Sequence, residues 1–331
     1  MAEFWEYDWR YKWARKYVDY MIRHSFRRID IEGSFPADGR SILITPNHTG
    51  TLMDALLVLI ASDVPVSFGA RADVFRNPRV AAFLRFCKMV PLARSGRDSR
   101  EEVARNAETF KEIDVLLSHG VPFAMFPEGR HRPMHSLLPL KKGVAYMAVK
   151  SAASRPTAIV PVGIQYSDWF HYRPSVKIRI GEPIDIKADY KAESILEKLS
   201  EKMKGLILYI PDDENYNAAL EKIRAERPRP SAFGRALKLA LGLPVFVVSA
   251  ILSLPMWLTA ELICRSLKDK AFSNTVRFGV KLAFTPAWGL ILAVLFFCTL
   301  PLPVAILLLL AFIPSYSIFY DYIGLVSRFD A

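Results

Sequence analysis

A histidine and an aspartate in the run Asn47-His48-Thr49-Gly50-Thr51-Leu52-Met53-Asp54 are the residues of this chain best suited to chemistry. An imidazole titrates near neutrality, so His48 can take the proton of a hydroxyl. A carboxylate beside it can fix the tautomer of the ring and stabilise the imidazolium. With the base so held, a substrate hydroxyl can attack an acyl carbon directly, and no protein nucleophile is required. Two plainer readings use the same residues. One is a loop histidine followed by an aspartate that complements a helix N-terminus. The other is a hydrolase in which water takes the place of the hydroxyl.

The elements around this run must bring the two side chains together. The apolar strand Ser41–Thr45 precedes it, closed by Pro46, and Gly50 permits a turn. Thr51 is placed to cap a helix over Leu52–Ala61 that carries Asp54. A turn followed by a helix folds Asp54 back toward His48. The same alternation continues through residues 33–190. Further strands are expected at Val64–Phe68, Pro122–Phe126, Ala158–Ile164 and Val176–Ile180. Further helices are expected at Pro78–Phe86, Ser99–Leu117 and Val144–Ala153. Strands separated by helices predict an α/β fold, a mostly parallel sheet flanked by helices.

More polar blocks follow in order. They are Lys88-Met89-Val90-Pro91-Leu92-Ala93-Arg94, then Phe126-Pro127-Glu128-Gly129 with Arg130-His131-Arg132, then Val160-Pro161-Val162-Gly163-Ile164. Together with the His48 run, they resemble the glycerolipid acyltransferase family over about residues 40–190. The resemblance matches His48 and Asp54 to the family's signature of a histidine and an aspartate separated by four residues, as general base and charge partner. It gives Arg94 the grip on the acceptor phosphate, which guanidinium geometry suits. Arg71 falls where the family often has a basic residue. Glu128 and Gly129 are implied to position the acceptor, and Arg130 or Arg132 to bind its phosphate. Val160–Ile164 is implied to line the acyl or pantetheine region. The chain departs from the pattern at Lys88, where the family has glycine, and at 130–132, where it commonly has Thr-Arg-Ser. His131 reads as a local substitution rather than a second base.

Composition sets the surroundings. The net charge is +11 and 52% of residues are hydrophobic, with the apolar excess gathered after Leu237. That distribution favours a membrane over nucleic acid. Residues 4–28 read as one helix with Trp5, Trp9, Trp13, Tyr17 and Tyr20 in a stripe among arginines and lysines, suited to the membrane–water boundary. Removing 1–30 is expected to weaken membrane contact and leave the fold. The division expected is an amphipathic interfacial helix at 1–32, the catalytic domain at 33–190, a helical linker at 191–231 ending in Arg227-Pro228-Arg229-Pro230-Ser231, and hydrophobic membrane-embedded helices at 232–331. Residues 237–263 are expected to enter the bilayer and return, bent near Pro244 and Pro255. Residues 282–326 are expected to form a hairpin turning at Pro301-Leu302-Pro303. Residues 265–281 carry a net +4 and belong on the cytoplasmic side. A plain three-span topology and a buried helical domain are the alternatives.

The N-terminus has none of the features of a secretory signal peptide. Cys87, Cys264 and Cys298 show no metal spacing, and no dinucleotide or P-loop signature is present. No metal and no cofactor beyond the thioester donor are therefore expected. The resemblance implies a membrane-bound O-acyltransferase of phospholipid biosynthesis, at the cytoplasmic membrane with its catalytic domain facing the cytoplasm. The donor would be acyl-CoA or acyl-carrier protein and the acceptor 1-acyl-sn-glycerol 3-phosphate. Glycerol 3-phosphate and a lyso-aminolipid are the alternative acceptors.

Overall fold

The computed structural model describes residues 4–94, 98–226 and 231–327. Residues 227–230 of the expected linker lie outside them. One eight-stranded sheet organises the first two thirds of the chain. Its strands are β1 (Arg28–Glu32), β2 (Ser41–Pro46), β3 (Ser67–Arg71), β4 (Met89–Leu92), β5 (Phe123–Ala124), β6 (Thr157–Tyr166), β7 (Ser175–Ile180) and β8 (Ile184–Ile186). The order is β1-β7-β6-β2-β5-β3-β4, with β8 beside β6. β2 pairs parallel with both β5 and β6, β3 pairs parallel with β4 and β5, and β1 pairs parallel with β7. Only the β6–β7 and β6–β8 contacts are antiparallel. The α/β, mostly parallel expectation holds.

Burial on both faces explains the composition of the central strands. All six residues of β2 are buried, and they alternate between two apolar clusters, as a strand's two-residue period requires. Ile42 and Ile44 join α1 (Trp9–Arg23), α2 (Leu52–Ala61) and the C-terminal helices. Leu43 joins α4 (Arg100–Ser118), α5 (Gly143–Ala152) and α6 (Ala192–Leu206) on the other face. The short helix α3 (Pro78–Phe86) packs at the β4 edge.

Three boundaries differ from expectation. The N-terminal helix covers only Trp9–Arg23, because residues 28–32 leave it to form the edge strand β1. Ile22 and Phe26 are core residues, at 0% and 3% exposure. Removing 1–30 would therefore open the core and strip an edge strand, so the expectation that the fold survives is corrected. Second, the 191–231 region is not a linker in its first half. Ile195, Leu199 and Met203 of α6 are buried under the sheet, and Gly163 of β6 lies so close that a Cβ there would meet Leu206 O at 2.5 Å. Only α7 (Tyr216–Glu226) is mostly exposed. Third, the strand expected at Val64–Phe68 lies at Ser67–Arg71, since Asp63–Val64 belong to the turn after α2.

The C-terminal part is four helices, α8 (Ala232–Leu252), α9 (Leu254–Ser266), α10 (Ser273–Thr299) and α11 (Leu302–Ser327). Neighbours run antiparallel. Tyr322 of α11 bonds Leu239 O of α8, Tyr316 bonds Arg277 O of α10, and Glu261 of α9 pairs with Arg277. Three stretches, Ala232–Leu252, Lys270–Thr299 and Leu302–Ser327, are long and apolar enough to cross a membrane. The 237–263 stretch breaks at Ser253. Phe246 and Trp257 stack on Phe319 with centroids 5.6 and 4.7 Å away, so the chain passes that ring, turns and comes back. Pro255 sits in the first turn of α9, where its missing N–H costs nothing.

Candidate active site

In a parallel sheet the loops at the carboxyl ends of the strands share one edge, the usual place for a site. His48 follows β2, Glu128 follows β5, Arg71 ends β3 and Arg94 follows β4. All four therefore stand along the same edge, in the order His48, Glu128, Arg71, Arg94.

His48 and Asp54 meet. Nδ1 of His48 lies 2.8 Å from Asp54 Oδ2. The same oxygen accepts the backbone N–H groups of Thr49 and Gly50 at 2.9 and 2.7 Å, and Tyr166 donates its hydroxyl to Oδ1 at 2.6 Å. Asp54 is fully buried, and donors to both oxygens hold its carboxylate in place. With Nδ1–H directed at Asp54, Nε2 of His48 is the nitrogen left for an incoming hydroxyl. The ring stacks on Phe126 with centroids 4.1 Å apart, which fixes its plane. Asn47 secures the loop from behind: its amide donates to Ile164 O and accepts from Ile164 N, at 3.0 and 2.6 Å.

The spacing departs from the signature it resembles. Five residues, not four, separate His48 from Asp54. The backbone takes up the surplus at Thr51, which adopts φ +57°, a left-handed conformation unusual for a β-branched residue. Thr51 therefore does not cap α2 with its side chain. Its hydroxyl lies 2.7 Å from that of Thr275 on α10. Gly50 is required by space: a Cβ there would stand 2.4 Å from the Tyr166 hydroxyl and 2.8 Å from Asp54 Oδ1.

Glu128 is placed differently from expectation. It is 3% exposed, and its two oxygens accept the N–H groups of His48 and Leu138 at 2.7 and 2.9 Å. Burial pushes its carboxyl above the usual range, opposed by those two N–H groups. So engaged, Glu128 holds the His48 loop and is not free to touch an acceptor. Gly129 has φ +71° while a Cβ there would meet only the Lys141 side chain, Cγ at 3.6 Å and Cε at 3.9 Å, so glycine is needed for conformation rather than close approach.

The 130–132 segment faces the C-terminal helices. Nε2 of His131 lies 2.9 Å from Asp269, and its ring sits edge-on to Phe272 and to His48, with centroids 5.0 and 5.7 Å away. The loop between α9 and α10 thus reaches the catalytic pair. Arg132 is bound to Asp212 and to Ser136 Oγ, and its backbone N–H caps His48 O at 2.9 Å. Arg130 is exposed and makes no hydrogen bond or ion pair among the described residues.

Arg71 and Arg94 sit together at the far end of the edge, each already matched by a carboxylate. Arg71 pairs with Asp73, and Arg94 holds Asp98 through Nε and Nη2 at 3.3 and 3.0 Å. The two guanidinium groups keep Asp73 and Asp98 below the usual carboxylate range. Lys88 has φ +61°, so the position keeps the backbone conformation glycine favours. Its ammonium reaches the carbonyls of Phe4 and Glu6 at 2.9 and 2.6 Å, beneath the rings of Phe4, Tyr7 and Tyr11. It latches the N-terminal segment onto the domain.

Sequence reasoning missed Tyr166, Asp269 and Thr275. Tyr166 ends a strand as many buried tyrosines do, and its bond to Asp54 spans 112 positions. No local pattern signals such a pairing. Among the described residues, no group of three His, Cys, Asp or Glu side chains is placed to hold a metal.

Comparison with known proteins finds similar chains. Residues 28–165 match the family model described as Acyltransferase. Glycerol-3-phosphate O-acyltransferase 2 of Saccharomyces cerevisiae is 30% identical over 171 residues, 48% of this chain and 22% of the yeast protein. Glycerol-3-phosphate O-acyltransferase 1 of the same yeast is 35% identical over 80 residues, 23% of this chain and 10% of that protein. The match thus spans about a fifth or less of these relatives' length. The crystal structure of the 1-acyl-sn-glycerophosphate acyltransferase PlsC from Thermotoga maritima aligns with a TM-score of 0.47 at 23% identity, over 66% of this chain and 83% of that one.

Proposed function

We propose that this chain, whose residues 28–165 match the family model described as Acyltransferase, is a membrane-bound glycerolipid acyltransferase that acylates 1-acyl-sn-glycerol 3-phosphate to phosphatidic acid. The observation that carries the chemistry is the His48–Asp54 pair, 2.8 Å apart and fixed by Thr49, Gly50 and Tyr166. Nε2 of His48 takes the proton of the acceptor hydroxyl as its oxygen attacks the thioester carbonyl. The tetrahedral intermediate collapses, the carbon–sulfur bond breaks, and the thiolate recovers the proton from the imidazolium. Asp54 stabilises that imidazolium and keeps Nδ1 protonated throughout. The donor is a soluble thioester, acyl-CoA or acyl-carrier protein.

The contact of His131 with Asp269 supports an acceptor drawn from the bilayer. It joins the catalytic edge to the base of the apolar helices, where a lysolipid would arrive. It also puts the active site on the same side as the basic 265–281 loop, which favours the cytoplasmic face. Because α8 and α9 turn back on one another at Ser253, α9 returns to that side, in keeping with two hairpins rather than three spans. Trp9, Trp13 and Tyr20 lie exposed on the face of α1 opposite its buried Met21 and Ile22, a surface suited to the interface.

Glycerol 3-phosphate is the second reading, favoured by the names of both yeast relatives. Thiol release from acyl-CoA by the purified, detergent-solubilised protein separates the two. Release with the lysolipid alone, lost in His48→Ala, supports the first. Release with glycerol 3-phosphate supports the second. Release without any acceptor would make the protein a hydrolase.

A further inference from the structure

A cavity of about 270 Å³ opens between α9, α11 and the 168–173 loop, away from His48. Its walls include Trp257, Glu261, Arg265, Arg277, Tyr320 and Ile323. We propose that it is a phospholipid site, with the lipid phosphate on Arg265 and the first methylenes of the chains along Leu258, Leu262 and Ile323.

The charges in the cavity are already partly balanced. Arg277 is bidentate to Glu261 at 2.8 and 3.2 Å and also donates to Phe170 O at 2.7 Å. Glu261 accepts a further hydroxyl from Tyr320 at 2.8 Å. That pair is therefore neutral and saturated. His171, also in the lining, is held by Asp168 at 2.9 Å. The guanidinium of Arg265 is exposed and makes no hydrogen bond or ion pair among the described residues; Glu261 feels its charge but is already bound by Arg277 and Tyr320, so Arg265 is the cation left open to an anion. A guanidinium selects phosphate by geometry as well as charge.

The remaining wall identifies the kind of phosphate. Leu258, Leu262 and Ile323 line the cavity yet stay 42%, 55% and 38% exposed, continuous with the apolar outer surface of α8–α11. A free anion would gain nothing from that wall, whereas an amphiphile buries it. A lipid head group with a few methylenes fits the volume, and the chains run out along α9. This site is separate from the acyl-transfer chemistry and stands whichever acceptor is used.

Trp257 supplies a direct readout. The full-length protein in neutral detergent micelles is titrated with acyl-brominated phosphatidylglycerol, phosphatidylcholine or diacylglycerol. Quenching at Trp257 is taken as the difference between the wild type and Trp257→Phe. Saturable quenching by both phospholipids at a lower mole fraction than diacylglycerol is expected. Arg265→Gln should raise the half-quenching fraction about tenfold, as loss of a charge-assisted contact does, and Arg265→Lys should restore part of it. Equal quenching by diacylglycerol, or no effect of Arg265→Gln, overturns the proposal. Displacement of the lipid by millimolar inorganic phosphate would show a site for free anions and overturn the lipid assignment.

Discussion

Tyr166 donates its hydroxyl to Asp54 Oδ1 at 2.6 Å, from a strand 112 positions away in the chain. Asp54 in turn holds His48, so the orientation of the base depends on a side chain that never meets substrate. Burial and the neighbouring Asp54 charge push the Tyr166 phenol well above its ordinary value of 10.0, and it stays a donor throughout the working range.

Tyr166→Phe should therefore lower kcat with little change in KM for either substrate. A hydrogen bond to a charged group contributes about 1.5–3 kcal/mol, and part of that is the expected loss in transition-state stabilisation. The sign at alkaline pH follows from the raised phenol. Stability from the protonated Tyr166 is complete below 10.0 and is lost as pH rises through the folded value. Denaturation of the variant should show a shallower alkaline decline than the wild type, since other buried phenols such as Tyr7 and Tyr172 are also raised. A kcat unchanged from wild type would remove Tyr166 from the mechanism.

Gly50→Ala should inactivate the enzyme by crowding. The added Cβ would lie 2.4 Å from the Tyr166 hydroxyl oxygen, and overpacking of this kind costs about 1–3 kcal/mol. It would also lie 2.6 Å from the Tyr166 ring carbon Cζ and 2.8 Å from Asp54 Oδ1, so Tyr166→Phe, which removes only the hydroxyl, should relieve part of the clash. The double variant should be more stable than additivity of the single variants predicts, as a thermal-unfolding double-mutant cycle would show. Simple additivity would mean that the two residues do not press on one another.

This pair marks the limit of what the chain discloses on its own. The α/β alternation, α2 and α3 at their stated bounds, and the juxtaposition of His48 with Asp54 were legible, because strand and helix periods and a turn glycine are local. The sequence also points to the hairpin at 282–326, since Pro301-Leu302-Pro303 interrupts an apolar run. Strand β1 went unread at the end of the aromatic helical segment, and α6, expected as a helix of a linker, is instead a core helix, because only the sheet they pack on identifies these roles. Glu128 was assigned to the acceptor from its motif. Its burial against the N–H groups of His48 and Leu138 emerges only when β2 and β5 lie side by side.

Glu128→Gln tests that placement. An amide can accept only one of the two N–H groups and turns its own NH2 toward the other. An unmatched buried donor costs about 1–3 kcal/mol. The variant should lose kcat through a misplaced His48 loop while keeping its KM for the acceptor. A selective rise in acceptor KM would instead return Glu128 to the binding site.

The basic residues along the edge make unequal predictions. Arg71 and Arg94 are matched by Asp73 and Asp98, so an acceptor phosphate must displace a carboxylate to reach either. Arg130 has no such competitor among the described residues and adjoins His131, which contacts the His48 ring. Arg130→Gln should therefore raise KM for a phosphorylated acceptor by about tenfold, the scale of one charge-assisted contact, with kcat for a saturating acceptor nearly retained. Arg94→Gln and Asp98→Asn should then leave KM nearly unchanged, because the Arg94–Asp98 pair stays closed. If Arg94 grips the phosphate and Arg130 is a solvated surface charge, Arg130→Gln will be silent and the Arg94 and Asp98 variants will move KM in opposite directions. Acceptor titrations of the three variants at fixed acyl-CoA distinguish the two arrangements.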